Sequence, residues 1–345
     1  MNSVVSYLES SFLKDLLKND NVTDISFNGE TLFYQDNING RHKLEYKLND
    51  KEAFDFVRQI ANLSDSMFSY SDPILDISCG RYRINATHYA ISRKNRNKVI
   101  NFSIRIGQDE LRILDDKNFI NEKCVYLIQK FIEVKESIII SGITGSGKTE
   151  LQKFIISKLE DNSRVLVIDN VEELEIDCFK DRLDIQTWVL RKNINLSFDD
   201  LIKNALRINP DWLILSEARG EEMLSLLNGA MTGHPTISTI HSKCIKLDYQ
   251  RMTRMCLIKN NNLKFNETLR DLEESFRLLI HLHKGKNEQG NITRFVEEIG
   301  TNIKGKYYWL YKYPNKYNIL PIELRGILNL SEQDFKNIKE IFKND

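Results

Sequence analysis

The pattern of apolar and polar positions predicts a small α+β domain over residues 1–107. Strand-like segments flank Asn28-Gly29, a dipeptide typical of a tight hairpin, and Asn39-Gly40 predicts a second turn. Apolar side chains then recur at helical spacing over residues 51–63. Further strand-like runs cover residues 82–91 and 98–106.

The pattern changes after a polar segment without periodicity, residues 108–117, which predicts a linker. From residue 118 helices alternate with short, continuous apolar strands, which predicts an α/β domain with a mostly parallel sheet over residues 118–300. Ligands of such sheets bind at the edge where the strands end. The strand candidates are residues 138–140, 164–168, 212–215 and 236–240, and an antiparallel pair at 276–282 and 292–299.

Residues 301–345 predict a C-terminal extension of this domain. Residues 331–343 begin at a capping serine and carry apolar side chains at helical spacing, which predicts a terminal helix. Residues 304–316 are rich in lysine and tyrosine. We interpret that segment as a strand or a docking surface rather than a nucleic-acid site.

Composition narrows the function classes. The chain has 49 basic and 49 acidic residues and a formal net charge of zero, which argues against a protein that coats DNA or anionic lipid. No signal peptide and no apolar run of about 20 residues is apparent, so we expect any membrane attachment to occur through partners or a surface face. The cysteines form no CxxC pair, which predicts reduced thiols and neither a disulfide framework nor a zinc module: Cys79, Cys124, Cys178, Cys244 and Cys256.

Residues 141–149, Ser-Gly-Ile-Thr-Gly-Ser-Gly-Lys-Thr, carry the most specific chemical signal. They follow an apolar strand and precede a helix-like segment, and this order builds a phosphate cradle from backbone N–H groups. Lys148 would reach the β- and γ-phosphates of a nucleotide, and the Thr149 hydroxyl would hold Mg²⁺. The predicted nucleotide-binding residues are Gly142, Thr144, Gly145, Ser146, Gly147, Lys148, Thr149 and Glu150.

Two acidic segments follow predicted strands. Glu217 comes two positions after the predicted strand 212–215, where a carboxylate can orient an attacking water or hold Mg²⁺. The cluster at residues 169–175 follows the strand 164–168, and at least one of its acids is predicted to place Mg²⁺ or water. Solvated charged turns are the alternative interpretation of both segments.

Two histidines, His234 and His241, flank the predicted strand 236–240. They could sense the γ-phosphate through hydrogen bonds or hold the acidic cluster, although a lone histidine is more often a satisfied core residue. No cysteine or third histidine stands at metal-ligand spacing, so we reject a zinc site.

These segments, in this order, resemble the four boxes of the type II/IV secretion ATPases, the hexameric motors of type IV secretion, conjugation and type IV or Tad-type pili. The resemblance covers about residues 20–300, and residues 220–233 are similar to the VirB11-like and CpaF/Tad-type branch. The last acid of the acidic box corresponds to Glu173. The matches are Walker A at 142–149, the Asp box at 169–174, Walker B at 214–219 and the His box at 232–241.

The resemblance implies a RecA-like P-loop motor domain preceded by the smaller α+β domain. It implies ATP and Mg²⁺ as ligands, a homo-hexamer, and a cytoplasmic location at the membrane. The partners would be inner-membrane platform proteins of a secretion, conjugation or pilus system and a coupling ATPase. The implied catalytic residues are Lys148, Glu173, Glu217, His234 and His241; the metal site would use Thr149, Glu173 and Glu217, and the phosphates would contact Arg83 and Arg105.

Several positions depart from the family pattern. Asp169-Asn170 replaces the usual Glu-Asp, and Ser216 and Ala218 replace a glycine and a larger aliphatic residue. The spacing of the two histidines is more similar to pilus and type II motors than to VirB11. A pilus extension or retraction motor and a low-turnover scaffold that gates a secretion channel therefore stay open beside a translocation ATPase.

Overall fold

The computed structural model describes residues 2–107, 118–169, 174, 176–189, 196–260 and 262–342. These residues form two compact units. The first contains the described residues up to 107 together with Lys286–Ile292, and the second contains those from 118 to 285 and from 293 onward. The predicted linker, residues 108–117, lies outside the described residues.

The first unit packs helices on a six-stranded sheet of order β3-β2-β1-β8-β5-β4, whose neighbouring strands all pair antiparallel. The predicted hairpin at Asn28-Gly29 is confirmed, and the predicted helix lies within one that begins at a capping box of Asn49 and Glu52. The elements are α1 (Asn2–Ser10), α2 (Lys14–Leu17), α3 (Asp50–Leu63), β1 (Val22–Phe27), β2 (Leu32–Asp36), β3 (Gly40–Lys43), β4 (Ile74–Cys79), β5 (Tyr82–Thr87), β6 (Arg93–Lys94), β7 (Asn97–Lys98) and β8 (Asn101–Ile106).

The second unit is an α/β unit with more strands than the sequence pattern predicts. Its helices are α4 (Glu122–Glu133), α5 (Lys148–Ile156), α6 (Phe198–Arg207), α7 (Glu222–Met231), α8 (Asp248–Lys259), α9 (Phe265–Ser275), α10 (Glu323–Ile327) and α11 (Glu332–Ile341). Its strands are β9 (Ile138–Gly142), β10 (Arg164–Ile168), β11 (Asp184–Trp188), β12 (Trp212–Ala218), β13 (Thr236–His241), β14 (Leu278–Lys286), β15 (Ile292–Ile303), β16 (Lys306–Lys312) and β17 (Lys316–Tyr317).

These strands form one mixed sheet of order β11-β10-β12-β13-β9-β14-β15-β16-β17. The strands from β11 to β14 in that order run parallel, so β9, β10, β12 and β13 all end at one edge. The strands β15, β16 and β17 pair antiparallel and continue the sheet past residue 300. The sheet is therefore parallel from its β11 edge to β14, as expected for a mostly parallel sheet, and mixed because antiparallel strands follow on the β17 side.

Two layers of helices cover the two faces of this sheet. The face that carries Ile138 and Ile140 packs against α4, α5, α10 and α11. The opposite face, which carries Ile139, packs against α6, α7, α8 and α9. The central strands are apolar throughout because both of their faces are buried. The terminal helix α11 buries Phe335 and Ile338 in the first of these cores.

None of the helices in the described part of the chain combines the length and apolar composition that a bilayer-spanning helix needs.

Candidate functional site

The phosphate-loop motif lies at the edge where the parallel strands end. It leaves β9 at Gly142 and enters α5 at Lys148. Gly147 precedes the helix with φ 97°, in the left-handed region that L side chains rarely adopt, and an added Cβ would lie 3.0 Å from the Phe119 ring. The loop therefore depends on glycine at this position, and it leaves the amides of the first turn of α5 available to an anion.

Lys148 is buried against the same loop. Its Nζ donates to the carbonyl oxygens of Gly142 and Ile143 at 3.3 and 3.2 Å. It also lies 3.3 Å from Nδ1 of His241, the last residue of β13. An ammonium group can only donate, so Nδ1 accepts this hydrogen bond only in the neutral tautomer of His241 whose ring proton lies on Nε2.

Glu217 completes a chain of polar contacts across the strand ends. Its Oε1 lies 2.9 Å from His241 Nε2, and its Oε2 accepts from Arg219 at 3.0 Å. Lys148, His241 and Glu217 thus meet, in this order, at the edge of the sheet that carries the phosphate loop.

A β-bulge in β12 directs the Glu217 side chain. Leu215 pairs with Ser238 and Ala218 pairs with Ile240, so Ser216 and Glu217 together oppose a single residue of β13. The extra residue also shifts the alternation of the strand, because Ala218 packs in the same core as Leu215 although three positions separate them. A regular strand would have sent position 217 into that core.

The charges of these groups suit a water-activating site. Burial, the largest single influence, would raise the pKa of Glu217, but the Arg219 hydrogen bond and the positive charges around it hold that pKa below its ordinary value. Burial and the Lys148 charge lower the pKa of His241. Near neutral pH the site therefore presents an ionised carboxylate beside a neutral imidazole.

Two buried polar residues that sequence reasoning missed brace this edge. Gln152, on α5, donates to the carbonyl oxygens of Leu215 at 2.9 Å and Ile237 at 3.4 Å. Thr239 Oγ1 donates to the carbonyl oxygen of Ser216 at 2.9 Å, inside the bulge. The sequence indicates these two residues only in that each is a polar residue on an otherwise apolar helix face or strand.

The remaining predicted residues of the phosphate cradle carry hydroxyl and carboxylate oxygens. Thr149 and Glu150 lie half-buried in the first turn of α5, and Thr144 is exposed on the loop. The Ser146 hydroxyl is buried and has no hydrogen-bond partner among the described residues. Hard oxygen donors at a phosphate cradle fit Mg²⁺, which takes few protein ligands and completes its shell with phosphate oxygens and water.

Comparison with protein families gives a match that agrees with this geometry. The model of the "Type II/IV secretion system protein" family matches residues 102–291, more than half of the chain. This chain belongs to the type II/IV secretion system protein family. It resembles an uncharacterised protein of Bacillus anthracis, with 26% identity over 99% of this chain and 76% of the relative.

Two further proteins, one known by sequence and one by its solved structure, are similar to this chain. The type IV secretion system protein PtlH of Bordetella pertussis is 29% identical over 48% of this chain and 50% of PtlH, so this match spans half of that relative. The solved structure of the Legionella pneumophila ATPase DotB superposes with a TM-score of 0.62 at 19% identity, covering 95% of this chain and 85% of DotB. This structural likeness concerns the fold.

His234 does not lie close to the other candidate residues of the site. It precedes β13, whereas His241 ends that strand, and six strand residues span about 20 Å. His234 lies 3.0 Å from the Thr232 hydroxyl and lines a cavity with Ser137 and Arg277, which precede β9 and β14. It therefore lies at the edge where the parallel strands begin.

The acidic box is described only in part. Asp169 is buried, and its Oδ2 accepts from the backbone N–H of Leu174 at 2.8 Å. Glu173 lies outside the described residues.

The two predicted arginines lie in the first unit. Arg83 on β5 and Arg105 on β8 are directly opposite each other in the antiparallel register. Arg83 Nε also lies 3.9 Å from Asp76 Oδ1. Two neighbouring guanidinium groups repel each other unless anions lie close to them, and one carboxylate is already present.

The buried carboxyl group of Asp248 makes the free energy of unfolding depend on pH. It begins α8, is fully buried, and faces Ser141, Ser242, Glu298 and Arg251. Burial raises its pKa from 3.8 to about 7. The contribution of this group to stability is therefore fully present below about pH 4 and is lost as the pH rises through about 7.

We expect Asp248→Asn to gain stability relative to the wild type as the pH rises, by up to about 1.4 kcal/mol per pH unit between those limits. Urea unfolding at a series of pH values measures this difference. The exposed carboxylate Asp181 offers the control, and Asp181→Asn should follow the wild-type profile. A pH profile of Asp248→Asn parallel to that of the wild type would show that the proton is not held at Asp248.

Proposed function

We propose that this protein is a Mg²⁺-dependent ATPase whose second unit is a RecA-like P-loop motor domain. The observation that carries the proposal is the contact chain from Lys148 through His241 to Glu217, with spacings of 3.3 and 2.9 Å. It sets an ionised carboxylate beside the lysine of a phosphate cradle. Membership of the type II/IV secretion family supports the proposal, as does the fold shared with the ATPase DotB.

The phosphate loop and Lys148 would bind the phosphates of ATP. The loop amides of Gly145, Ser146 and Gly147 would donate to phosphate oxygens. Lys148 would exchange its bonds with the loop carbonyls for bonds with the β- and γ-phosphates. Its ammonium charge would then stabilise the negative charge that develops on the transferred phosphoryl group.

Glu217 would accept a hydrogen bond from the attacking water and orient it toward the γ-phosphorus. The water oxygen forms the new bond to phosphorus as the water gives a proton to the Glu217 carboxylate, the bond to the β-phosphate oxygen breaks, and ADP leaves with that electron pair. His241 would hold the Glu217 carboxylate through its Nε2. Thr149, with Glu217 and Glu173, would hold Mg²⁺, which supplies charge neutralisation at the phosphate oxygens.

We further propose, from the family resemblance, that Arg83 and Arg105 contact nucleotide phosphates, for which the guanidinium fork is well shaped. We assign no role in this site to His234. The protein would act as a cytoplasmic homo-hexamer bound to inner-membrane platform proteins and a coupling ATPase, and it would drive translocation through a secretion or conjugation complex. The spacing of the two histidines favours a pilus motor as the second candidate.

Phosphate release by the purified protein tests this function. We expect release that saturates with ATP, requires Mg²⁺ and stops when EDTA is added. Binding of ATP without turnover, also in the presence of the membrane partners, would favour the scaffold. Absence of both binding and turnover would contradict the proposal.

A further inference from the structure

Two cations from neighbouring strands reach the phosphate loop from outside it. Lys284 on β14 donates from Nζ to the carbonyl oxygen of Thr144 at 3.2 Å. Arg294 on β15 donates from Nε to the carbonyl oxygen of Gly145 at 2.8 Å. Both side chains belong to the second unit, as does the loop.

The alternation of the two strands explains why both side chains face the loop. Leu282 on β14 and Val296 on β15 pack in the core on the α5 side of the sheet. Lys284 and Arg294 are each two residues away from them, so they occupy the same face nearer the strand ends. On this face of the sheet, the two cationic side chains therefore follow the hydrophobic core at the end that carries the phosphate loop.

A hydrogen bond to a loop carbonyl also determines where the next amide points. The C=O and N–H groups of one planar peptide point in opposite directions. A donor on the Thr144 carbonyl therefore turns the Gly145 N–H, one of the amides that a phosphate cradle uses, away from Lys284. The Ser146 N–H donates to the Ile143 carbonyl oxygen at 3.2 Å within the loop, and Arg294 fixes the carbonyl oxygen of the same peptide, on Gly145.

Gly145 is matched to this arrangement. Its φ is 72°, and an added Cβ would lie 2.7 Å from Lys284 Nζ. A side chain at this position would therefore both strain the backbone and push the lysine away from the loop.

We propose that Lys284 and Arg294 are positioning residues that hold the two peptides flanking Gly145 so that its amide points toward the nucleotide phosphates. The proposal rests on the proposed function, because it concerns the same phosphate cradle. Since this amide would serve the phosphates that ADP and ATP share, the two cations favour both nucleotides equally. A direct contact with the γ-phosphate would instead favour ATP alone.

Calorimetric titration of the full chain with MgADP and with a non-hydrolysable Mg–ATP analogue tests the proposal. Arg294→Met should weaken both affinities by the same factor, about tenfold, as expected for a hydrogen bond from a charged group. Lys284→Met should act in the same direction, and Arg294→Lys should recover part of the loss. In steady-state hydrolysis, KM should rise more than kcat falls. The exposed Arg254 offers the control, and Arg254→Met should bind as the wild type does.

Three results would overturn the proposal. A larger loss for the ATP analogue than for ADP would show contact with the terminal phosphate, and unchanged affinities would show that the loop holds itself. A wild type that binds neither nucleotide would remove the proposed function together with this inference. If instead Lys148→Ala loses binding while Arg294→Met and Lys284→Met keep it, only this inference fails. Should Arg294→Met not fold, Lys284→Met and Arg294→Lys give the same comparison.

Discussion

Glu217→Gln should reduce ATP hydrolysis by at least about a hundredfold while ATP still binds, since a positioned base typically contributes a factor of about 10² to 10⁴. The amide keeps the size of the side chain but removes the negative charge that orients the water. It also replaces a carboxylate oxygen, at the His241 contact or at the Arg219 hydrogen bond, with an NH₂ group that cannot accept from either side chain. Single-turnover hydrolysis and equilibrium binding of ATP separate the two effects.

The control for this variant lies close by in the sequence. Glu221 is exposed and precedes α7, so Glu221→Gln removes the same charge from the same segment without touching the contact chain. It should hydrolyse ATP at the wild-type rate. Hydrolysis by Glu217→Gln at more than about a third of that rate would remove Glu217 from the role of water-orienting residue, because even weak base catalysis exceeds that factor.

Lys148→Ala should reduce hydrolysis by a factor on the order of 10² or more, typical for loss of a charged group at a developing oxyanion. It should also weaken nucleotide binding by about tenfold or more, as expected for loss of a hydrogen bond from a charged group. The ammonium group is the cation that contacts both the loop carbonyls and His241 in this structure. Loss of this side chain removes the donor for the β- and γ-phosphates and breaks the link to Glu217. Calorimetric titration with MgATP and phosphate release measure the two losses.

Lys158, which follows the same helix, is the matched control. Its Nζ lies over the Phe154 ring, at the opposite end of α5 from the phosphate loop. Lys158→Ala should therefore keep wild-type binding and turnover. Equal activity of Lys148→Ala and the wild type would mean that this loop does not bind the reacting phosphate.

The sequence predicted the features that depend on local pattern. Continuous apolar runs predicted the central strands, because a strand buried on both faces needs apolar residues at every position. The Asn28-Gly29 hairpin and the helix α3 were also predictable, since turn chemistry and helical periodicity are local signals. The meeting of residues 148, 217 and 241 followed from one further rule, that parallel strands end at a common edge.

The features that the sequence did not predict depend on pairing between distant segments. The bulge at Ser216 and Glu217 is a property of the register between β12 and β13, and both strands have a continuous pattern in which an extra residue leaves no trace. The sequence of β16 fits either a strand or a docking surface, because its lysines and tyrosines carry no clear alternation. The resemblance to the His box predicts His234 at the site together with His241, but β13 lies between them and places the two histidines at opposite edges of the sheet.

The central claim is that a terminal phosphate docks between Lys148 and Glu217. A crystal structure of the protein with Mg²⁺, ADP and aluminium fluoride tests it most directly. We expect the planar fluoride group within hydrogen-bond distance of Lys148 Nζ, with the attacking water on the Glu217 carboxylate. A nucleotide bound elsewhere, or a Glu217 side chain that points away from the fluoride group, would contradict the account.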